Sequence, residues 1–208
     1  MQGAGLAGRA RLACGDLVGT PYGVSGNVQH PGVYALPLGL PVREIIFEHA
    51  GGLHEGRTLK AVIPGGSSAP ILTVAEAMAV NSDFDALQCV GSMGGSGGMM
   101  VLDDTVCIVQ STYILAEFYH DESCGQCNPC REGTGWMEKI LHRIEHGEGR
   151  PGDVDLLLHM GTNIFGRTIC PLGDAAVWPV ESAINKFRAE FDYHIREKKC
   201  LPETVSIL

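Results

Sequence analysis

Cys124-Gly125-Gln126-Cys127-Asn128-Pro129-Cys130 sets three thiols at two-residue intervals in a chain of 208 residues. Such spacers let three thiolates converge on one face of a compact inorganic cube, whose fourth ligand comes from a distant cysteine. The best fourth ligand is Cys170, in Arg167-Thr168-Ile169-Cys170-Pro171-Leu172-Gly173-Asp174. Pro171 and Gly173 bend the chain there, and the turn precedes a helix just as the triplet does. Two such turns at one end of a helical bundle can face each other. Three readings stay open from the residues alone: a [4Fe–4S] cluster, a zinc ion held by three of these cysteines plus His120 or Cys170, and a thiol loop without metal. The spacing favours the cluster, because structural zinc usually takes paired C-x2-C units set apart.

Outward from the triplet the apolar period is helical. Ile108, Thr112, Leu115 and Tyr119 recur behind the capping residues Asp103 and Asp104. Trp136, Met137, Ile140, Leu141 and Ile144 make a second stripe that stops near Gly147. Asp153 opens a third, with Val154, Leu157, Leu158 and Ile164. Asp174 opens a fourth, with Val177, Val180, Ile184, Phe187, Phe191 and Ile195, and Pro179 is expected to displace its start or kink it. Four amphipathic helices with short connections predict an all-α four-helix bundle over residues 104–199, with 200–208 as a tail.

Residues 21–103 are punctuated by glycine and proline and read as short strands and turns. Residues 24–28 and 32–36 flank the turn at Gln29, His30 and Pro31. Pro41 heads a short helix with Val42, Ile45 and Ile46, stopped by Gly51-Gly52. Residues 59–63 and 99–102 are further strands. The expectation is a small α+β domain with mixed strands around one helix. Residues 1–20 read as a disordered or remnant segment. Gly3, Gly5 and Gly8 match G-x-G-x-x-G, but without the preceding strand and following helix of a dinucleotide site.

A net charge of −9 argues against nucleic acid as a partner. No run of 18 apolar residues predicts membrane insertion, and the N-terminus lacks the apolar core of a signal peptide. A reducing compartment is the default, where eight cysteines read as ligands or free thiols. Cys14, Cys89, Cys107 and Cys200 read as small apolar residues or inert thiols. His120 reads as a surface histidine or an outer-shell donor. His142, His146, His159 and His194 share no metal spacing. The glycine-rich stretches 65–68 and 94–98 suit a phosphate cradle or tight turns equally. A cluster with four thiolates carries roughly −2 oxidised and −3 reduced, so Arg131 and Arg167, which flank the ligand loops, raise its potential.

Residues 122–136, from Glu122-Ser123-Cys124 to Thr134-Gly135-Trp136, resemble the cluster signature of one family, as do Thr168-Ile169-Cys170-Pro171-Leu172-Gly173-Asp174-Ala175-Ala176. That family is the NADH-oxidising flavoprotein (F) component of NADH:quinone oxidoreductase, respiratory complex I. Val24-Ser25-Gly26-Asn27-Val28, Pro31-Gly32-Val33-Tyr34 and Ala61-Val62-Ile63-Pro64-Gly65-Gly66-Ser67-Ser68 resemble its ubiquitin-like β-grasp domain of the soluble-ligand-binding (SLBB) type. The resemblance implies a β-grasp domain followed by a four-helix domain with a [4Fe–4S] cluster on Cys124, Cys127, Cys130 and Cys170. It implies a position for Leu172 near a flavin. It also implies that NADH reduces FMN, which passes electrons singly to the cluster.

The family's FMN- and NADH-binding domain has no counterpart in these 208 residues, so the isolated chain is not expected to oxidise NADH. Gly94 stands where the family has a larger apolar residue, and Asn128 where it has threonine. The implied partners are an FMN/NADH-binding domain and a neighbouring iron–sulfur subunit. The implied location is the cytoplasmic face of the membrane, peripherally. A diaphorase subunit of a soluble hydrogenase or formate dehydrogenase shares the same modules, and a zinc-stabilised binding module is the non-redox alternative.

Overall fold

The computed structural model describes residues 19–201. The Gly3-Gly5-Gly8 match, Cys14 and most of the expected tail lie outside them. The chain divides into two compact units.

The first unit comprises residues 19–66 and Leu72–Asp103. In chain order it holds β1 (Thr20–Gly26), β2 (Gly32–Leu36), α1 (Val42–Glu44) running into a π-helical turn at Ile45–His49, β3 (Leu59–Ile63), β4 (Leu72–Thr73), α2 (Val74–Ala79), α3 (Phe84–Cys89) and β5 (Gly98–Asp103). The sheet order is β2-β1-β5-β3-β4. β1 and β5 run parallel, with Val24 opposite Met99, and the other pairings are antiparallel. Residues on β5 alternate, Met99, Val101 and Asp103 facing inward, as a strand with one buried face requires. The core beneath joins Tyr22, Val24, Val62 and Val101 from the sheet to Val42, Ile45 and Ile46, which are fully buried. Gly51 and Gly52, both at φ +76°, end this helical stretch, where a side chain would be strained.

Three helical segments replace the single one expected. α2 and α3 are six residues each, too short to show a period, and their signals are caps. Thr73 accepts from the Glu76 N–H while Glu76 accepts from the Thr73 N–H, and Asp83 accepts from the Ala86 N–H. β1 starts at Thr20 rather than residue 24, since Pro21 and Gly23, which read as breakers, are tolerated near a strand's first residue. The two glycine-rich stretches pack on each other. The Ser96 N–H donates to Gly65 O (3.1 Å), and a Cβ on Gly95 would overlap Gly65 O. Close backbone approach therefore accounts for these glycines.

The second unit comprises Ser67–Ile71 and residues from Asp104 onward. Its helices are α4 (Ile108–Asp121), α5 (Asn128–Glu145), α6 (Asp153–Ile164) and α7 (Leu172–Glu197). Tyr113, Ala116, Met137, Leu141, Ile144, Leu157, Val177, Val180, Ile184 and Phe191 are buried among them. Ser67–Ile71 straps across two of the helices. Ser67 Oγ shares a hydrogen bond with Tyr119 OH (2.8 Å), and the Ile71 N–H donates to Ser182 Oγ (3.1 Å). Reversals between successive helices gather the end of α4 and the starts of α5 and α7 at one end. The start of α4 and the ends of α5 and α7 lie at the other.

Several expected boundaries move. α4 is capped by Cys107 rather than Asp103 or Asp104, because Asp103 closes β5 and is buried there. Trp136 is 55% exposed, so the buried stripe of α5 runs through Gly133 instead. α7 starts at Leu172, since Asp174 places its carboxylate on the Gly166 N–H (2.7 Å) rather than on its own helix. Pro179 is accommodated, and the non-helical residue is Phe187 (φ −127°, ψ 28°). Among the described residues, no helix is long and apolar enough to cross a membrane.

Candidate functional site

The triplet loop begins where α4 ends. Gly125 takes φ +74°, turning the chain so that Arg131 reaches back over it. Arg131 donates to Gly125 O (3.0 Å) and Asn128 Oδ1 (2.9 Å) and pairs with Glu132 (2.9 Å). This guanidinium therefore fastens the loop as well as charging it. Cys127 stands at the N-cap of α5 with no side-chain cap, and Pro129 occupies the first turn, where a missing N–H costs nothing. Cys130 is buried in that turn, its sulfur 3.2 Å from Ser123 Oγ. Cys124 is exposed and Cys127 half-buried.

The second loop begins where α6 ends. The Gly166–Asp174 bond closes it, and Thr168 Oγ1 donates to Cys170 O (2.8 Å). Ile169 donates its N–H to Cys127 Sγ at 3.3 Å, so the residue beside Cys170 lies against the triplet. Cys170 is exposed. Pro171 is the N-cap of α7, again without a side-chain cap. Leu172 is the first residue of that helix and half-buried.

Glycines set how closely the loops approach. A Cβ on Gly133 would lie 2.6 Å from Ile164 Cδ1, and one on Gly173 would lie 2.6 Å from Thr168 Cγ2. Gly173→Ala must push Thr168 off its bond to the Cys170 carbonyl. The expected outcome is a loss of about 1–3 kcal/mol of stability together with faster cluster loss, checked by denaturant midpoint and by the decay of visible absorbance.

The donors fit an iron–sulfur cluster. They are thiols on two loops bonded to each other, one sulfur accepts a backbone amide, and two helix N-termini without side-chain caps supply partial positive charge. His120 is turned elsewhere. Its Nδ1 lies 3.3 Å from Thr134 Oγ1, and its ring packs on Gly135.

At the opposite end of the helical unit the structure assembles a group that spacing did not reveal. Cys107, Glu145, His194 and Cys200 each place a ligand atom within 4.8 Å of all the others. Cys107 Sγ is 3.3 Å from His194 Nε2 and 3.9 Å from Glu145 Oε2, and Cys200 Sγ is 3.6 Å from Glu145 Oε1. His194 Nδ1 lies 3.6 Å from Glu145 Oε2. Burial pushes the Cys107 thiol up, the Gln110 N–H opposes this, and Glu145 adds to it. Burial likewise raises the Glu145 carboxyl and the Cys200 thiol. Cys107 and Cys200 therefore meet, and His194 joins them, although each read alone as unremarkable.

Residues 110–194 match the iron-sulfur binding region of NADH-ubiquinone oxidoreductase-F, and residues 21–98 match the SLBB domain. Most of the helical unit is therefore similar to that iron-sulfur binding region. A similar protein is one of the NADH-quinone oxidoreductase F subunits of Rhizobium meliloti, the one numbered 2. It is 50% identical over 179 residues, which are 86% of this chain and 42% of that protein. The NADH-quinone oxidoreductase F subunit of Mycobacterium bovis is 44% identical over 181 residues, 87% of this chain and 40% of that protein. The chain thus spans about two fifths of the length of these curated relatives. A chain of the NAD+-reducing [NiFe]-hydrogenase in the H2-reduced state superimposes with a TM-score of 0.75 at 27% identity, covering 88% of this chain and 30% of that one.

Proposed function

We propose that this chain transfers single electrons through a [4Fe–4S] cluster held by Cys124, Cys127, Cys130 and Cys170, as part of an NADH:quinone oxidoreductase. The carrying observation is the hydrogen bond from Ile169 N–H to Cys127 Sγ, which joins the two cysteine loops. The finer fold reading, a β-grasp sheet followed by a four-helix bundle, belongs to the same proposal. The sheet order, with β1 and β5 parallel at its centre, supports it.

When bound, the cluster supplies one-electron redox chemistry. The protein's own part is electrostatic. The Ile169 amide donates to a ligand sulfur, and the uncapped starts of α5 and α7 add positive potential. Arg131 and Arg167 do the same, so each favours the more negative, reduced state. Exposure of Cys124 and Cys170 leaves a short path for electrons at the surface. An FMN-binding domain outside these residues, reduced by NADH, would supply the electrons, Leu172 would be the residue of this chain nearest the flavin, and a neighbouring iron–sulfur subunit would receive them. The chain works peripherally on the cytoplasmic face of the membrane.

A second reading is a diaphorase subunit of a soluble hydrogenase. The likeness to the NAD+-reducing [NiFe]-hydrogenase chain favours it. Both readings expect a brown protein with about four irons and four sulfides per chain and a dithionite-reducible paramagnetic signal. Stoichiometric zinc in these loops with no acid-labile sulfide would sink both. Electron delivery to quinone in the assembled complex, against delivery to a hydrogenase partner, separates them.

A further inference from the structure

We infer that Cys107, Glu145, His194 and Cys200 form a structural zinc site at the end of the helical unit remote from the proposed cluster. Fifteen helical steps of α5 separate Cys130 from Glu145, roughly 22 Å along the axis. The two metal sites therefore share no ligand, and the second lies outside the one-electron chemistry of the first.

Three independent features carry the inference. The first is geometry. Zinc bonds of about 2.0–2.3 Å put the corners of a tetrahedron roughly 3.3–3.8 Å apart. Cys107 Sγ stands 3.3 Å from His194 Nε2 and 3.9 Å from Glu145 Oε2, at that scale, and one ligand atom from each of the four residues lies within 4.8 Å of all the others. A four-iron cube spreads its thiolates much more widely, so this compact group fits a single ion.

The second is donor chemistry. Two thiolates, one imidazole and one carboxylate suit a borderline-soft ion and are wrong for magnesium or calcium, which take oxygen. All four ligands come from the protein, which is the closed arrangement of a structural site.

The third is the surrounding field. α5 ends at Glu145 and α7 ends at Glu197, three residues before Cys200. Two helix C-termini thus turn their partial negative charge towards the group against one N-terminus, that of α4 at Cys107, and the balance favours a cation. Cys107 is also an unusual N-cap, since asparagine, aspartate, serine and threonine dominate that position. Its sulfur accepts the Gln110 N–H at 3.4 Å, while the buried Glu190 carboxylate accepts the Ile108 N–H at 2.8 Å. The Cys107 sulfur thus lies between the Gln110 amide and His194 Nε2.

On binding, zinc displaces the thiol protons of Cys107 and Cys200 to solvent. It ties the start of α4, the end of α5 and the segment after α7 into one knot. Left-handed Lys198 (φ 56°) turns the chain so that Cys200 comes back over the helix ends.

The test equilibrates the full chain, with its cluster loaded, against zinc, removes weakly held metal by gel filtration and measures metals and sulfide together. The expected result is one tightly held zinc per chain in addition to the iron. Cobalt in its place should give a near-ultraviolet thiolate-to-metal band and the visible bands of a tetrahedral ion. Cys200→Ser, at a half-buried position just after α7, should weaken zinc more than roughly 100-fold without changing iron or sulfide. Cys107→Ser should do the same, and Cys89→Ser, an exposed thiol in the sheet unit, should change nothing. An iron-loaded chain that retains no zinc, or one whose zinc survives loss of Cys200 and of Cys107 at unchanged affinity, overturns the assignment. Iron and sulfide content tests the cluster separately, so failure of one reading leaves the other standing.

Discussion

Cys170→Ser is expected to abolish stable cluster binding while leaving the fold in place. The serine oxygen is a harder and far less acidic donor than a thiol, so one iron corner loses its anionic sulfur ligand. The position makes the experiment clean. Cys170 is exposed, and its backbone carbonyl, not its thiol, takes the hydrogen bond from Thr168. Loss of iron therefore cannot be ascribed to a collapsed core. Cys124→Ser should behave alike, for that thiol is exposed too. Cys130→Ser is less diagnostic, because Cys130 is buried beside Ser123. Iron per chain should fall from about four to well below one after gel filtration, with circular dichroism unchanged. A Cys170→Ser chain that keeps full iron and sulfide would show that the fourth ligand lies elsewhere.

How far the sequence led depended on whether a signal was local. The triplet, the bend at Cys170-Pro171 and each helical stripe are signals carried by residues close in sequence, and the two loops do meet at one end of the helical unit. β3 was legible from its apolar run and its Pro64-Gly65-Gly66 stop. α2 and α3 were harder, because short helices are specified by caps, and the Thr73…Glu76 pair lay in a stretch that read as turns. Trp136 belongs to the apolar stripe by spacing, yet a stripe does not tell which shoulder faces a core and which faces water. The group at the far end was not readable at all. Its members stand 38, 87 and 55 residues apart in the pairs Cys107–Glu145, Cys107–His194 and Glu145–Cys200. Only the packing of three helices brings such positions together, so no spacing rule reports them.

The other large effect concerns Arg143 and Asp153, which hold the turn between α5 and α6. Asp153 is buried, and its carboxylate takes the Arg143 Nε–H at 2.7 Å, a second bond from the same guanidinium, and the Arg150 N–H at 2.9 Å. Burial alone would raise the Asp153 carboxyl, but Arg143 and the Arg150 amide outweigh it and hold it below the usual carboxylate range. Arg143→Met keeps the aliphatic packing and strands the buried charge. Breaking such a pair from one side costs about 3–5 kcal/mol, and the quarter-exposed Arg143 side chain puts this pair at the lower end. The melting temperature should fall by roughly 10 °C. The pH dependence has a definite sign. The folded-state pKa lies below the unfolded one, so the unfolded chain takes up the proton first as pH falls. The pair's contribution is complete above the ordinary aspartate range, about 3.9, and disappears as pH drops through the lower folded-state value. Wild type should therefore lose stability steeply on the acid side, and Arg143→Met should lose much less there. Denaturant midpoints across that acid range, for both proteins, measure the difference. Parallel acid limbs would show that the pair contributes no net stability.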